Sequence, residues 1–206
     1  MALITIEGID GTGKSTLHAA LRKPLTDLDP LFTREPSATW IGDQVRRAIA
    51  EEIDPVAEAL LFVADHAAHL ARVVRPALAE GRLVISDRYI DSRYAYQSVM
   101  LEDAIPEPMA LLKQVHDAWT IVPDLTILHV IPVERALARL GEDRKREHFE
   151  EPAFLERVQR NYFTLAEEEP SRFVLVDAQK EKEEIARFCA ELIRQTSESS
   201  RSRRRR

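Results

Sequence analysis

The chain is poor in cysteine, in glycine and in long apolar runs, and each shortage excludes something. Its single cysteine, Cys189, cannot close an internal disulfide; it fits a reducing compartment, packed as a small apolar residue on a helix. Six glycines, at 8, 11, 13, 42, 81 and 141, follow no period, which excludes collagen-like and repeat architectures. No apolar run approaches the roughly 20 residues of a membrane span. The opening Met1-Ala2-Leu3-Ile4-Thr5-Ile6 has neither a basic stretch nor a small-residue cleavage site, so a secretory signal is not expected. Positive charge is also scarce over most of the length. Residues 1–195 hold 24 basic and 34 acidic groups, and only the five arginines at 201 and 203–206 lift the net charge to −6. An acidic body argues against a broad nucleic-acid-binding face. The Ser- and Arg-rich end, 196–206, reads as a disordered tail.

What is present is a soluble domain of ordinary composition, 45% hydrophobic and 31% charged in 206 residues. Short apolar runs at Leu3–Glu7, Leu31–Thr33, Leu83–Asp87, Asp124–Ile131 and Phe173–Val176 read as strands. Helical patterns separate them: Lys14–Arg22, Trp40–Glu51, Pro55 to about Glu80 with a bend at Pro76, Ile90–Met100, Glu107–Trp119, Pro132–Leu140, Pro152–Glu167 and Lys180–Gln195. Five apolar strands alternating with helices predict an α/β fold, a parallel sheet covered on both faces, with ligands at the carboxyl ends of the strands. No Pro-, Gly- or Ser-rich linker divides 1–195, so one domain is expected.

The strongest chemical signal is Gly8-Ile9-Asp10-Gly11-Thr12-Gly13-Lys14-Ser15, a full match to G-x-x-x-x-G-K-[ST] between a strand and a helix. Its glycines let backbone N–H groups wrap phosphates, and the helix N-terminus adds positive potential. Lys14 reaches the β- and γ-phosphates, and the Ser15 hydroxyl is a Mg2+ ligand. Asp87, at the end of the third strand, is placed as the second Mg2+ carboxylate, and Arg88 after it can hold a phosphate bidentately. A carboxylate at Asp10 beside phosphates needs a polar partner, such as a substrate hydroxyl, unless it caps the turn. No Asn-Lys-x-Asp occurs, because the only asparagine, Asn161, is followed by Tyr162; a guanine-reading switch is excluded. A small kinase fits the length.

Beyond the cradle, Thr33-Arg34-Glu35-Pro36, Leu60-Leu61-Phe62-Val63-Ala64-Asp65, Asp87-Arg88-Tyr89-x-x-Ser92-x-x-Ala95-Tyr96-Gln97 and Val176-Asp177-Ala178 follow in order. With Glu7 to Thr16 they make the chain resemble the thymidylate kinases. That resemblance implies a three-layer P-loop kinase fold, cytoplasmic location, a homodimer built on helices of the 55–80 and 90–118 regions, and transfer of the γ-phosphoryl group of ATP to dTMP with Mg2+. It implies that Gly8 to Thr16, with Ala178 and Gln179, bind ATP. Asp10, Arg34, Phe62, His66, Arg88, Tyr96 and Gln97 would bind dTMP: arginines on the 5′-phosphate, Asp10 on the 3′-hydroxyl, Phe62 stacked on thymine, Tyr96 crowding a 2′-hydroxyl and Gln97 on the base. Many relatives carry arginine where this chain has His66, and a neutral imidazole can donate one bond there. Taken alone, Tyr96 and Gln97 also fit ordinary packing or surface. Along the Pro55 helix, Leu60, Val63, Ala67, Leu70 and Val74 read as the core stripe, with Phe62, His66 and His69 on a neighbouring stripe that can face a cleft.

The cradle contains no arginine, so the positive charge that phosphoryl transfer needs is expected from a lid at about 139–151. Arg135, Arg139, Arg144, Lys145 and Arg146 supply it, and two alignments of the lid motif, on Asp143-Arg144 or on Glu147-His148-Phe149-Glu150, stay open. Arg139 and Arg144 are the candidates for the transferring phosphoryl group. Two other readings are compatible with these residues: a different nucleoside or nucleoside monophosphate kinase, and a nucleotide-binding regulator without transfer. No membrane and no specific nucleic acid is expected as partner.

Overall fold

A computed structural model describes residues 2–141, 149 and 151–203, the last three by backbone course alone. Five strands, β1 (Leu3–Glu7), β2 (Leu31–Arg34), β3 (Val84–Asp87), β4 (Leu125–Val130) and β5 (Phe173–Asp177), form one parallel sheet in the order β2-β3-β1-β4-β5. The expected α/β arrangement is present. β1 and β3 are buried along their whole length and carry near-continuous apolar sequence, as central strands covered on both faces require. β2 and β5, at the edges, are only partly buried.

Side chains alternate between two cores. Ile4, Ile6, Ile85 and Ile127 face one layer, where α1 (Lys14–Ala20) contributes Leu17 and α10 (Lys182–Arg203) contributes Ile185, Cys189 and Ile193. Burial pushes the Cys189 thiol up to about 12, so it packs as an inert apolar group. Leu3, Val84 and Leu128 face the other layer. That layer holds one continuous helical run, α5 (Ile90–Ser92), a π-helical turn (Arg93–Gln97) and α6 (Ser98–Met100), together with α7 (Pro108–Asp117) and α9 (Pro152–Glu168). α2 (Trp40–Glu51) and α3 (Pro55–His69) follow β2, α4 (Arg75–Ala79) precedes β3, and α8 (Val133–Leu140) follows β4.

Three expectations change. The bend expected at Pro76 begins earlier, as a π-helical turn over Leu70–Val74 that joins α3 to α4. Proline has no N–H for the carbonyl four residues before it and crowds that turn, so the helix widens ahead of it. The stripe read as core on the Pro55 helix holds in its second half only: Leu70 and Val74 are buried and Val63 packs against the core, but Leu60 is 60% exposed and Ala67 is exposed, and the neighbouring face of Phe62, His66 and His69 is buried instead. Hydropathy misread this face because two of its buried members are imidazoles that find polar partners below. Finally, residues 196–203 are helical rather than a disordered tail. Ser197 is buried and the Ser200 hydroxyl donates to Asp124 at 3.0 Å, contacts that prolong α10 past Gln195.

Candidate active site

Strand register brings the chemistry together. Arg34 lies opposite Asp87, and Ile6 opposite Asp87 on the other side, so Glu7-Gly8, Arg34-Glu35 and Asp87-Arg88 share one sheet end. The Gly8–Ser15 loop runs between β1 and α1 as the motif demands. Gly11, at φ +80, is fixed by its surroundings: a Cβ there would sit 2.1 Å from the Ala136 carbonyl oxygen. The Lys14 ammonium donates to the Ile9 carbonyl at 2.7 Å across the loop. Burial first, and then the neighbouring Arg88 charge, lower the Lys14 pKa to about 8, so it is still mostly charged near neutral pH. The Ser15 hydroxyl donates to Asp87 at 2.8 Å, which places the two expected Mg2+ ligands side by side.

Arg88 takes a left-handed backbone conformation, φ 65, at the point where β3 ends. Such a conformation is costly for a side chain with a Cβ and persists where the surroundings demand it. It turns the guanidinium back over the sheet end, where it donates to Asp10 at 2.6 Å, to the Ser92 hydroxyl at 3.1 Å and to the Gly8 carbonyl at 3.3 Å. The Tyr96 hydroxyl donates to the other Asp10 oxygen at 3.0 Å, and its ring lies under Arg88, 4.8 Å from centroid to guanidinium carbon. Burial opposes ionisation of Asp10, but Arg88, then Lys14, overcome it and hold the carboxyl at about 2. The polar partner that the sequence required of Asp10 is therefore supplied from within the protein.

Glu7, three residues earlier, shows the reverse. It accepts from the Tyr89 N–H, the Ser92 hydroxyl and the Tyr162 hydroxyl, yet burial and the nearby Asp91 raise its pKa to about 7. Glu35 forms a second buried cluster. One of its oxygens accepts from Nδ1 of both His66 and His69, each at 2.8 Å. Burial works against its charge, but His66, the two hydrogen bonds and Arg93 hold the Glu35 carboxyl well below the usual range.

Two cavities open on this constellation. The larger, about 1080 Å³, runs from the cradle past Arg34 and Asp87 to Arg139, Ala178 and Gln179. Arg139 donates to the Ala178 carbonyl at 2.9 Å, and Arg135 to the Gln179 side chain at 2.6 Å, so α8 is tied to the loop after β5. The smaller, about 90 Å³, is lined by Phe62, Arg93, Tyr96 and Gln97 and closed by Phe149. Both cavities are bounded by Asp10, Arg88 and Pro36.

Thus Gly11 to Thr16 with Asp10, Arg34, Asp87, Arg88, Arg139, Ala178 and Gln179 gather around the larger cavity, and Phe62, Tyr96 and Gln97 around the smaller. Gly8 and Ile9 stand behind the loop, their carbonyls accepting from Arg88 and Lys14. His66 does not join them. It is fully buried, bonded through Nδ1 to Glu35 and paired through Nε2 with the Thr120 hydroxyl at 2.8 Å, with both ring nitrogens used. Arg144, Lys145 and Arg146 lie outside the described residues. Sequence reading passed over Glu35, His69 and Arg93. The only hint of the first was its place in the Thr33–Pro36 block, and the lone charge of Arg93 in a buried turn becomes visible only when the turn is folded.

The sequence model of the family described as Thymidylate kinase matches residues 6–188. A protein of Methanoculleus marisnigri named "Probable thymidylate kinase" is 63% identical over 201 residues, 98% of each chain. Proteins of the same name from Methanospirillum hungatei, 58% identical over 93% of each chain, and Natronomonas pharaonis, 49% identical over 93% of this chain and 96% of that one, are also similar. With a cradle, a parallel sheet and two abutting cavities already in place, these matches settle the lineage: the chain belongs to the thymidylate kinase family.

Proposed function

We propose that this protein transfers the γ-phosphoryl group of ATP to dTMP, giving ADP and dTDP. The observation that carries the reading is the meeting of the two cavities at Asp10 and Arg88. A nucleoside triphosphate in the cradle points its terminal phosphate at that junction, and an acceptor nucleotide in the smaller cavity points its own phosphate at the same place. In-line transfer then needs no covalent intermediate, since the acceptor oxygen is already ionised.

Each described residue has a physical task. Backbone N–H groups of the loop and Lys14 hold the donor phosphates. Arg88, with Arg34 beside it on the sheet end, holds the acceptor phosphate. Asp10 fixes Arg88 by a half-buried ion pair, and its oxygens keep lone pairs for the acceptor's 3′-hydroxyl. Tyr96 lies against Arg88 and Asp10, where a 2′-hydroxyl would be crowded. Phe62 offers a ring face to the base. Ser15 and Asp87 are hard oxygen donors, a fitting pair for Mg2+, and among the described residues no cluster of three or more His, Cys, Asp or Glu side chains forms a protein-only metal site. Held by Ser15 and Asp87, Mg2+ would neutralise charge on the donor phosphates. Arg139, together with Arg144 outside the described residues, is the candidate source of positive charge for the transferring phosphoryl group; Arg144→Ala should lower kcat far more than it weakens acceptor binding.

The outward apolar stripe of α3, with Leu60 60% exposed, supports a homodimer through this face; a dimer by light scattering that Leu60→Glu converts to a monomer would bear it out. Among the described residues no helix is long and apolar enough to cross a membrane, and the buried single thiol fits the cytoplasm. A coupled assay of ADP release tests the function directly. With ATP and Mg2+, dTMP should stimulate release above dUMP, dCMP, dGMP, AMP and thymidine. Preference for another acceptor would assign a different kinase, and ATP binding without any acceptor-dependent release would assign a regulator.

A further inference from the structure

Two buried polar atoms in residues lining the smaller cavity make no hydrogen bond: Nε of Arg93 and Oε1 of Gln97. Buried polar groups are nearly always satisfied, and an unmet guanidinium N–H is costlier than a neutral one. The two residues open and close the π-helical turn Arg93–Gln97, four positions apart and so on one side of the helix. That turn is held firmly. Asn161 donates to the Ala95 carbonyl at 3.1 Å, and just before it Asp91 is gripped by both Nη atoms of Arg172 at 2.7 and 2.8 Å. Arg93 itself is held more loosely. Its carboxylate partner is Glu35 Oε2 at 3.5 Å, an oxygen that also makes no hydrogen bond, and its guanidinium carbon lies 4.2 Å from the Phe62 ring centroid. Charge and ring keep the guanidinium in place without fixing where its N–H groups point.

A donor beside an acceptor is the complement of a carbonyl beside a ring N–H. We propose that Arg93 and Gln97 read the acceptor base: Arg93 Nε–H donates to the 4-carbonyl oxygen of thymine, and Gln97 Oε1 accepts from its N3–H. This rests on the dTMP reading above and deepens it by naming the specificity residues of the same site. A base settling on Phe62 takes the ring face, and the guanidinium turns from that face to the base edge while staying beside Glu35. Cytosine would present an amino group to Arg93 and a bare nitrogen to Gln97, mismatched at both. His66, to which the family pattern points for the base, has both nitrogens engaged. It serves with His69 to hold Glu35, and Glu35 is a positioning residue for Arg93.

The test compares dTMP with the analogue whose base is 4-thiothymine, which keeps N3–H and replaces the 4-oxygen with a poorly accepting sulfur, at saturating ATP. For the wild-type enzyme the analogue should lose about 10- to 100-fold in kcat/KM, mostly through KM, the range for one hydrogen bond to a charged group. Arg93→Met should lower kcat/KM for dTMP by a similar factor and then treat dTMP and the analogue alike, with KM for ATP unchanged and preference for dTMP over dCMP reduced to what Gln97 alone provides. If Arg93→Met is too unstable to assay, Arg93→Met with Glu35→Gln leaves no unpaired buried charge and takes the same measurement. A variant that still pays the full wild-type penalty for the replaced oxygen overturns the proposal and leaves the dTMP kinase reading intact. A wild-type enzyme that does not prefer dTMP at all overturns both.

Discussion

The two ends of the site are made of different materials. At the donor end, consecutive residues Gly8 to Ser15 bend the backbone around a phosphate, and one lysine and one serine complete the work. At the acceptor end, side chains from β2, α3, the π-helical turn and the loop after β1 converge, stitched by a half-buried ion pair of Asp10 with Arg88 and a fully buried cluster of Glu35 with His66, His69 and Arg93. A backbone site tolerates change outside its few essential side chains. A side-chain site is wired into the core, so altering it disturbs recognition and stability together.

The largest effect should come where the two ends touch. Arg88→Ala removes the acceptor-phosphate ligand and leaves the half-buried Asp10 with only the more distant Lys14 to neutralise it. The expected loss in kcat/KM for dTMP is on the order of 10³-fold, with ATP binding nearly intact. Lys14→Met should cost a similar factor in kcat but leave the melting temperature within a few degrees, because Lys14 makes one hydrogen bond, to a loop carbonyl, and a long 4.0 Å pair with Asp10, which Arg88 still neutralises. If Lys14→Met melted as early as an acceptor-end variant, the two ends would not differ in the way argued.

Next in size is a stability effect confined to the acceptor end. Glu35→Ala strands Arg93 and two imidazoles in a buried setting and should destabilise the fold by about 3–5 kcal/mol. Urea unfolding measures it, and KM for ATP on the residual folded enzyme should stay near wild type.

The pair Glu7 and Asp10 gives a smaller, pH-resolved contrast within one loop. Glu7 has a folded pKa of about 7 against an ordinary 4.5, so the folded state holds the proton more tightly. Its contribution is present below the unfolded value and is lost as pH rises through about 7. Asp10, lowered to about 2, acts oppositely: its contribution is present above the ordinary 3.8 and is lost as pH falls towards 2. The wild-type advantage in melting temperature over Glu7→Gln should therefore shrink between pH 5 and pH 8. A constant gap would mean that Glu7 does not titrate in that window.

This contrast also explains what the chain discloses of itself. The sheet and the cradle are local: alternating apolar runs and a contiguous glycine motif carry them, so strands and Lys14, Ser15 and Asp87 are legible. Glu35, His69 and Arg93 are not, because their meaning lies in contacts with Glu35 across gaps of 34 and 58 residues in sequence. The face of α3 was misassigned for the same reason. His66 and His69 look polar until Glu35 is seen beneath them, while Leu60 looks buried until the fold turns it outward. The length of α10 was hidden because Ser197 and Ser200 read as solvent-facing until Asp124 is brought beside the helix.

The smallest expected effect sharpens the comparison from the donor side. Gln179 lines the larger cavity, but its side chain is exposed and its Oε1 is taken by Arg135 at 2.6 Å, while its N–H is bonded to Asp177 at 2.9 Å. If the far end of the donor cavity is shaped chiefly by backbone, Gln179→Ala removes only two exposed side-chain hydrogen bonds, to Arg135 and Asp177, each with a net value of about 1 kcal/mol or less. KM for ATP should then change by less than about 5-fold, and kcat should not change. A rise of tenfold or more would show that this end, too, reads its nucleotide through a side chain, and the division between a backbone-built donor site and a side-chain-built acceptor site would fall.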